Sequence, residues 1–365
     1  MKILCDRQQL QEAFSVVSNI APLKTPKPAL QNVLVRAEAD SLVLFATDLE
    51  MSARVSLDSV KVSEPGVALL PARETSALLR ELSEPTLTIH SEDMRCRIES
   101  GSGSFVLLGD DVDDFPTEPT VDSSEALQVP ARVFLEMVRR TTFAAAREET
   151  RYAINGLLLD HDSGNLRLVG TDGRRLALTF TGIETEAPPA RAVVPIRALQ
   201  ALTKAVDDDS DDPIEIRLST NRIAFSFGDT QLLCQLLDNR FPEYEQVIPK
   251  VADSTIEIDR ALLERNVRRV AVLSSGDVRM INLQFDGSTL KLSAESSGVG
   301  RADLTMDVDT QGKGGSISFN PDYLLDALKV SDLEVIRMDM TDDATPAKFM
   351  LGEAYTYILM PISGS

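Results

Sequence analysis

The sequence predicts an α+β chain of three repeated domains, each with two helices packed on antiparallel sheets. Three observations predict it. Strand-like segments LVLFATDLEMSARV, LRLVGTDGRRLALT and LKLSAESSGVGRADL begin at Leu42, Leu166 and Leu290, a constant spacing of 124 residues. Helix-like segments follow in the same register, marked by Pro71, Pro195 and Asn320-Pro321. Phe115-Pro116 and Phe241-Pro242 recur near the ends of the first two copies, 126 residues apart. A period near 124 residues is too long for a solenoid, whose repeats are single supersecondary units of about 20–50 residues. Units of this size bury their own cores, so the boundaries fall at 1–124, 125–250 and 251–365.

Taken in order, each copy opens with a helix: Arg7–Val17, Ala131–Phe143 and Arg260–Leu273. A hairpin follows. Its first strand begins at Asn32, Asn155 or Asn282, and its turn falls at Ala39-Asp40, Ser163-Gly164 or Asp286-Gly287. Leu-x-Leu alternation in the second strand marks a half-buried surface. The prolines before the second helices are start signals, because the missing N–H has no partner in a first helical turn.

The chain has 365 residues, 43% hydrophobic and 26% charged, the profile of a globular protein. The net charge of −20 excludes a protein that adheres to nucleic acid by being basic all over. No secretory h-region follows the start MKILCDRQQL, and no stretch approaches the roughly 18 apolar residues of a spanning helix. Three scattered cysteines and two histidines give no metal-ligand spacing, and the thiols suit a reducing cytoplasm. No metal and no cofactor is expected. His161 reads as an exposed loop residue, and Gly312–Gly315 as a hairpin loop.

Charge is unevenly placed. Asp110, Asp111, Asp113 and Asp114 form one acidic cluster and Asp207–Asp212 another, both outside the periodic segments and read as solvated loops. Two of the opening helices run the other way. Arg132, Arg139, Arg140 and Arg147 oppose Glu136, and Arg265, Arg268 and Arg269 share one face opposite Leu262, Leu263 and Val270. Equivalent helices in three domains could line one positive surface that follows phosphates without reading bases.

A resemblance adds to this reading. TDGRRLA at Thr171–Ala177, RYAINGL at Arg151–Leu157, NRFPEYEQVIP at Asn239–Pro249, NPDYLLDAL at Asn320–Leu328 and YILMPI at Tyr357–Ile362 resemble the bacterial DNA polymerase III β subunit family, the β sliding clamps. The match covers essentially the whole chain. It implies a DNA-clamp fold in a head-to-tail homodimer, a ring of six domains with helices lining the hole and sheets outside. The implied function is a processivity factor that encircles duplex DNA without sequence specificity. The implied partners are the DNA polymerase III alpha subunit, the clamp loader delta subunit, and other polymerases and repair proteins with clamp-binding peptides. The resemblance also implies an accessory subunit without catalytic residues, cytoplasmic and nucleoid-associated on DNA, with no membrane role.

Carried over by motif, the family's peptide-binding pocket comprises Ile154, Thr171, Gly173, Arg174, Arg175, Leu176, Pro242, Val247, Asn320, Tyr323, Pro346, Ile358, Met360, Pro361 and Ile362. Apolar groups and a methionine would form an adaptable groove, while Thr, Arg and Asn fix the peptide backbone. Removing Tyr357–Ser365 should then abolish peptide binding and spare the dimer. Implied DNA contacts are Lys24, Arg73, Tyr152 and Arg197. The implied subunit contact joins Phe105–Leu108, with Phe105 and Leu107, to an apolar patch of Val272 and Leu273 on the partner; pairing removes exposed strand edges. The chain departs from the family at Arg174, usually histidine or similar, at Gln246, usually basic, at Ala153, usually tyrosine, and in its MPISGS tail.

Two other readings fit parts of the sequence. Asp48 and Asp172 occupy equivalent turns and could be imagined as paired carboxylates for acid–base work, but the third copy has Glu295-Ser296 there, and separate domains hold such positions apart. No phosphate-binding glycine loop occurs. A three-domain protein-binding adaptor that does not enclose DNA is the alternative.

Overall fold

A computed structural model describes residues 1–121, 125–146, 155–162, 164–207, 210, 212–238, 240–274, 279–296 and 298–362. Its helices are α1 (Arg7–Ser18), α2 (Ala72–Glu81), α3 (Ala131–Thr142), α4 (Ile196–Ala205), α5 (Arg260–Ala271) and α6 (Pro321–Lys329). They alternate with strands that pair antiparallel throughout. The fold is α+β, as the repeat predicts.

One compact unit comprises Met1–Phe134, Glu184–Ala187 and Arg197–Leu236. It holds a five-stranded sheet, ordered Lys61–Glu64, Lys2–Asp6, Thr86–Glu92, Arg95–Ser100 and Gly103–Leu108. It also holds an eight-stranded sheet in which Thr230–Gln235 pairs with Met51–Leu57, placing Cys234 opposite Met51. α1 starts where the Asp6 carboxylate accepts the Gln9 N–H at 2.9 Å, a side-chain N-cap. Its Leu10, Ala13, Phe14 and Val17 recur at three- and four-residue intervals and are buried, while α2 packs beside it.

The second unit comprises Leu135–Ile183, Pro188–Ile196 and Leu237–Ser365. Its nine-stranded sheet joins Arg175–Gly182 to Tyr355–Leu359, with Leu176 opposite Ile358. A four-stranded sheet runs Gly300–Asp307, Thr289–Ser296, Ile281–Asp286 and Gly315–Phe319. α5 is capped by Asp259, which accepts the Leu262 N–H at 2.7 Å, and buries Leu263, Val267 and Val270. α6 packs against α5 and is capped by Asn320.

Several local expectations are corrected. Pro71 and Pro195 stand immediately before α2 and α4, as expected, but as the last residues of strands; of the three second-helix prolines only Pro321 lies within the helix. The third hairpin turn is Gly287-Ser288, because Asp286 still pairs with Thr289. The first acidic cluster is no free loop: Asp110 accepts from Asn32 Nδ2 at 2.7 Å, and Asp111 caps a single 3-10 turn, Val112–Asp114. That turn presents Phe115 edge-on to Phe45 at 6.0 Å. Of the second cluster, Asp208, Asp209 and Asp211 lie outside the described residues.

His161 is also corrected. It lies in the strand Gly156–Asp162 opposite Leu166, and it is buried because both faces of that strand are covered, Leu158 and Asp160 as well as Leu157 and Leu159. Neither ring nitrogen has a hydrogen-bond partner among the described residues.

Candidate functional site

The site is built around the turn Thr171–Arg175. The Thr171 hydroxyl donates to the Arg175 carbonyl at 2.6 Å and accepts the Gly173 N–H at 3.1 Å. Asp172 Oδ1 accepts the N–H groups of Arg174 and Arg175 at 2.9 and 3.1 Å. Gly173 has φ +82°, which glycine adopts without a Cβ penalty. The same set recurs at 47–51. Thr47 donates to the Met51 carbonyl at 2.8 Å, and Asp48 accepts from Glu50 and Met51 at 3.0 and 2.7 Å. The carboxylates of Asp48 and Asp172 therefore shape turns.

Beside the second turn lies a cavity of about 110 Å³. Thr171, Gly173, Arg175 and Leu176 form one side, Pro242, Glu243, Tyr244 and Val247 a second, and Ile358 and Met360 a third. Its floor is a small core of Leu158, Val169, Leu176, Val193, Tyr244 and Ile358. The wall Tyr244–Val247 is one 3-10 turn held by its tyrosine. Tyr244 donates to Asp160 at 3.3 Å, with the Arg191 guanidinium 5.8 Å from its ring centre. Burial first, then the Asp160 charge, pushes the Tyr244 hydroxyl up to about 12, so it stays a donor.

Arg175 holds the other side. It is 7% exposed, and Nε reaches Asp172 at 3.1 Å, Nη1 reaches Asp326 at 2.9 Å, and Nη2 donates to the Phe143 carbonyl at 2.6 Å. Its guanidinium lies 4.3 Å from the Tyr323 ring centre and 5.4 Å from that of Phe143. Burial penalises its charge, but Tyr357, Asp326 and Asp172 outweigh that and raise its pKa.

Of the expected pocket residues, Thr171, Gly173, Arg175, Leu176, Pro242, Val247, Ile358 and Met360 line this cavity. Arg174 is exposed at the turn tip, where its carbonyl accepts the Met360 N–H at 3.0 Å. Asn320 caps α6 by accepting the Asp322 N–H, Tyr323 lies under Arg175, and Pro346 precedes the strand Ala347–Gly352. Pro361 stands outside the lining; Ile362 donates its N–H to Ser318 and borders a separate cavity of about 180 Å³. Ile154 lies outside the described residues. Thr171, Arg175 and the Asn320 side-chain oxygen are engaged within the chain. Glu243 and Tyr244, which no motif role singles out although NRFPEYEQVIP carries both, line the cavity as well.

Lys24 and Arg73 are exposed and line one cleft of about 640 Å³ with Arg80. Arg197 pairs with Asp48 and borders another cleft with Lys204 and Asn19. Tyr152 and Arg147 lie outside the described residues. On α5, Arg265, Arg268 and Arg269 are exposed over the buried Leu263 and Val270. Arg140 departs from the charge reading. It folds over the Tyr355 ring at 5.5 Å and pairs with Glu136, which takes its cation out of the solvated face.

The strand Gly103–Leu108 is an edge of its sheet, with Phe105, Val106 and Leu108 exposed and Leu107 half-buried. Gly300–Asp307 is the edge of another sheet, in the second unit. Val272, just after α5, is 75% exposed beside half-buried Leu273.

With this geometry in place, comparison with known proteins decides the family. The chain matches the DNA polymerase III beta subunit N-terminal domain over residues 1–122, the central domain over 128–243 and the C-terminal domain over 245–363. It is 32% identical to the beta sliding clamp of Chlamydia trachomatis serovar D, over 99% of this chain and 87% of that protein. The chain belongs to the β sliding clamp family. Identity to the Escherichia coli K12 clamp is 30%, over 99% of this chain and 100% of that one. The DNA polymerase III subunit beta structure from Pseudomonas aeruginosa superposes on this clamp with a TM-score of 0.95, at 28% identity and full coverage of both chains. Among the described residues of the clamp, no helix is long and apolar enough to cross a membrane.

Proposed function

We propose that the chain is a DNA sliding clamp that encircles duplex DNA and tethers polymerases and repair proteins to it. The observation that carries this is the match to three consecutive clamp domains along essentially the whole chain. The domains are taken as 1–124, 125–250 and 251–365. Two chains close head to tail, the edge Gly103–Leu108 of one meeting the third domain of its partner, where Val272 and Leu273 offer an apolar patch. Closure removes open sheet edges that would otherwise invite aggregation.

Enclosure explains how a chain of net charge −20 works on DNA. Retention is topological, so the lining needs only weak phosphate contacts that carry no sequence information. Lys24, Arg73, Arg197 and the α5 arginines supply these, and the acidic exterior suppresses nonspecific adhesion. The apolar cavity beside Thr171–Arg175 docks a short linear peptide of the DNA polymerase III alpha subunit, the clamp loader delta subunit or other partners. The protein contributes no catalytic group of its own; the turn carboxylates are engaged by backbone N–H groups.

Small-angle X-ray scattering on the purified protein tests the ring. A hollow particle of about twice the 39.9 kDa chain mass is expected. A compact monomer would overturn enclosure and leave the protein-binding adaptor.

A further inference from the structure

We infer that the pocket selects peptides carrying a cationic side chain beside their apolar anchors, and that Glu243 makes the selection. The inference rests on the docking role proposed above and adds the chemistry of the occupant.

The charged groups lining the cavity are Arg175 and Glu243. Arg175 is nearly buried, and Asp172, Asp326 and the Phe143 carbonyl occupy all three guanidinium nitrogens. It offers no fork to a peptide carboxylate, and its charge is matched. Asp172 is consumed by the same arginine and by two backbone N–H groups. Along the opposite wall, Glu245 pairs with Arg191 at 3.3 Å and Gln246 is neutral. Glu243 is exposed, and no cation pairs with it among the described residues. Arg174 is exposed too, but stands at the turn tip outside the lining.

The lining therefore carries one uncompensated charge, and it is negative. It sits on the segment whose Pro242, Tyr244 and Val247 form the apolar wall. A lysine or arginine suits this juxtaposition, since its methylene stem covers apolar surface while its head stays in water near a carboxylate. An acidic residue at the same place meets repulsion. An exposed pair of this kind is worth roughly a two- to five-fold change in affinity, and salt weakens it.

The test is fluorescence anisotropy on the full-length protein with labelled peptides of one apolar anchor run. A single flanking residue, placed in turn at each end, is lysine, norleucine or glutamate. At one end the lysine peptide should bind roughly two- to five-fold tighter than norleucine, and glutamate weaker than both. The lysine-to-norleucine ratio should fall to about one in Glu243→Gln and invert in Glu243→Lys. Equal affinities for lysine and norleucine at both ends, or a lysine preference that survives Glu243→Gln, overturns the inference. If no peptide binds while the protein keeps its ring mass, the docking role falls and the selection with it.

Discussion

Arg175 Nη1 donates to the Asp326 carboxylate at 2.9 Å, tying the turn beside the pocket to α6. The contact makes one wall of the cavity a property of three elements, because the same guanidinium reaches the Phe143 carbonyl after α3. Hydrogen bonds to a charged group contribute more than neutral ones, and stripping one partner from such a network leaves the others unsatisfied. Arg175→Ala should lower stability by about 2 kcal/mol in urea denaturation and weaken a docked peptide. Arg175→Lys should recover only part of either, since an ammonium cannot reproduce a planar three-way fork. Full recovery by lysine would show that charge alone matters.

Met360 is the point at which the tail can be tested without cutting the fold. It lines the cavity and is 42% exposed, so Met360→Ala removes a docking contact at little cost to the core. Peptide affinity should fall roughly five-fold, about 1 kcal/mol, with particle mass and melting midpoint unchanged. The truncation suggested by the motif alone would behave differently. Tyr357 is fully buried, donates to the Tyr323 carbonyl at 2.9 Å and sits in a strand paired on both sides. Deleting Tyr357–Ser365 should unfold the second unit, visible as lost cooperative melting.

The ring contact is separable in the same way. Val272 is 75% exposed in the isolated chain, so a charge there has little to disturb within the fold. Buried against a partner, the same charge would lose its water without a counter-ion. Val272→Asp should shift the mass in light scattering from about twice 39.9 kDa toward the single-chain value, with unchanged circular dichroism. A variant that keeps the dimer mass would move the contact elsewhere.

Alkaline pH should expose the buried thiols. Burial, with a smaller push from Asp6 and Asp48 respectively, takes Cys5 and Cys234 from 9.0 up to about 12. Below pH 9 both folded and unfolded chains keep these protons, and the contribution to stability is intact. As pH rises from about 9 toward 12, the unfolded chain ionises while the folded one holds its protons, so stability falls. The urea midpoint should therefore drop across that window, and Cys5→Ala with Cys234→Ala should flatten the drop. An identical slope in both proteins would assign it to other groups.

Much of this molecule is legible in its sequence, and the limits have physical causes. Leu42, Leu166 and Leu290 mark equivalent strands because alternation is a local consequence of one buried face. The pairing of Thr230–Gln235 with Met51–Leu57 is not legible, since nonlocal register leaves no local pattern. His161 reads as a loop residue because the Ser163-Gly164 turn signal stands two residues on, yet the strand runs through it to Asp162. Arg140 counts as a surface cation in the sequence, yet its guanidinium lies over the Tyr355 ring and pairs with Glu136. Eight residues that the motifs single out line one cavity, but the hold of Asp160 on Tyr244 joins residues 84 apart and appears only in three dimensions.

The twin turns at 47–51 and 171–175 are each held by their own threonine and aspartate, so the same local shape is kept beside two different surroundings. At the 126-residue spacing the counterpart of Tyr244 is Glu118, which forms an ion pair with Arg54 at 3.1 Å. The first copy thus spends this position on an ion pair at the surface, while the second uses it to line an apolar cavity.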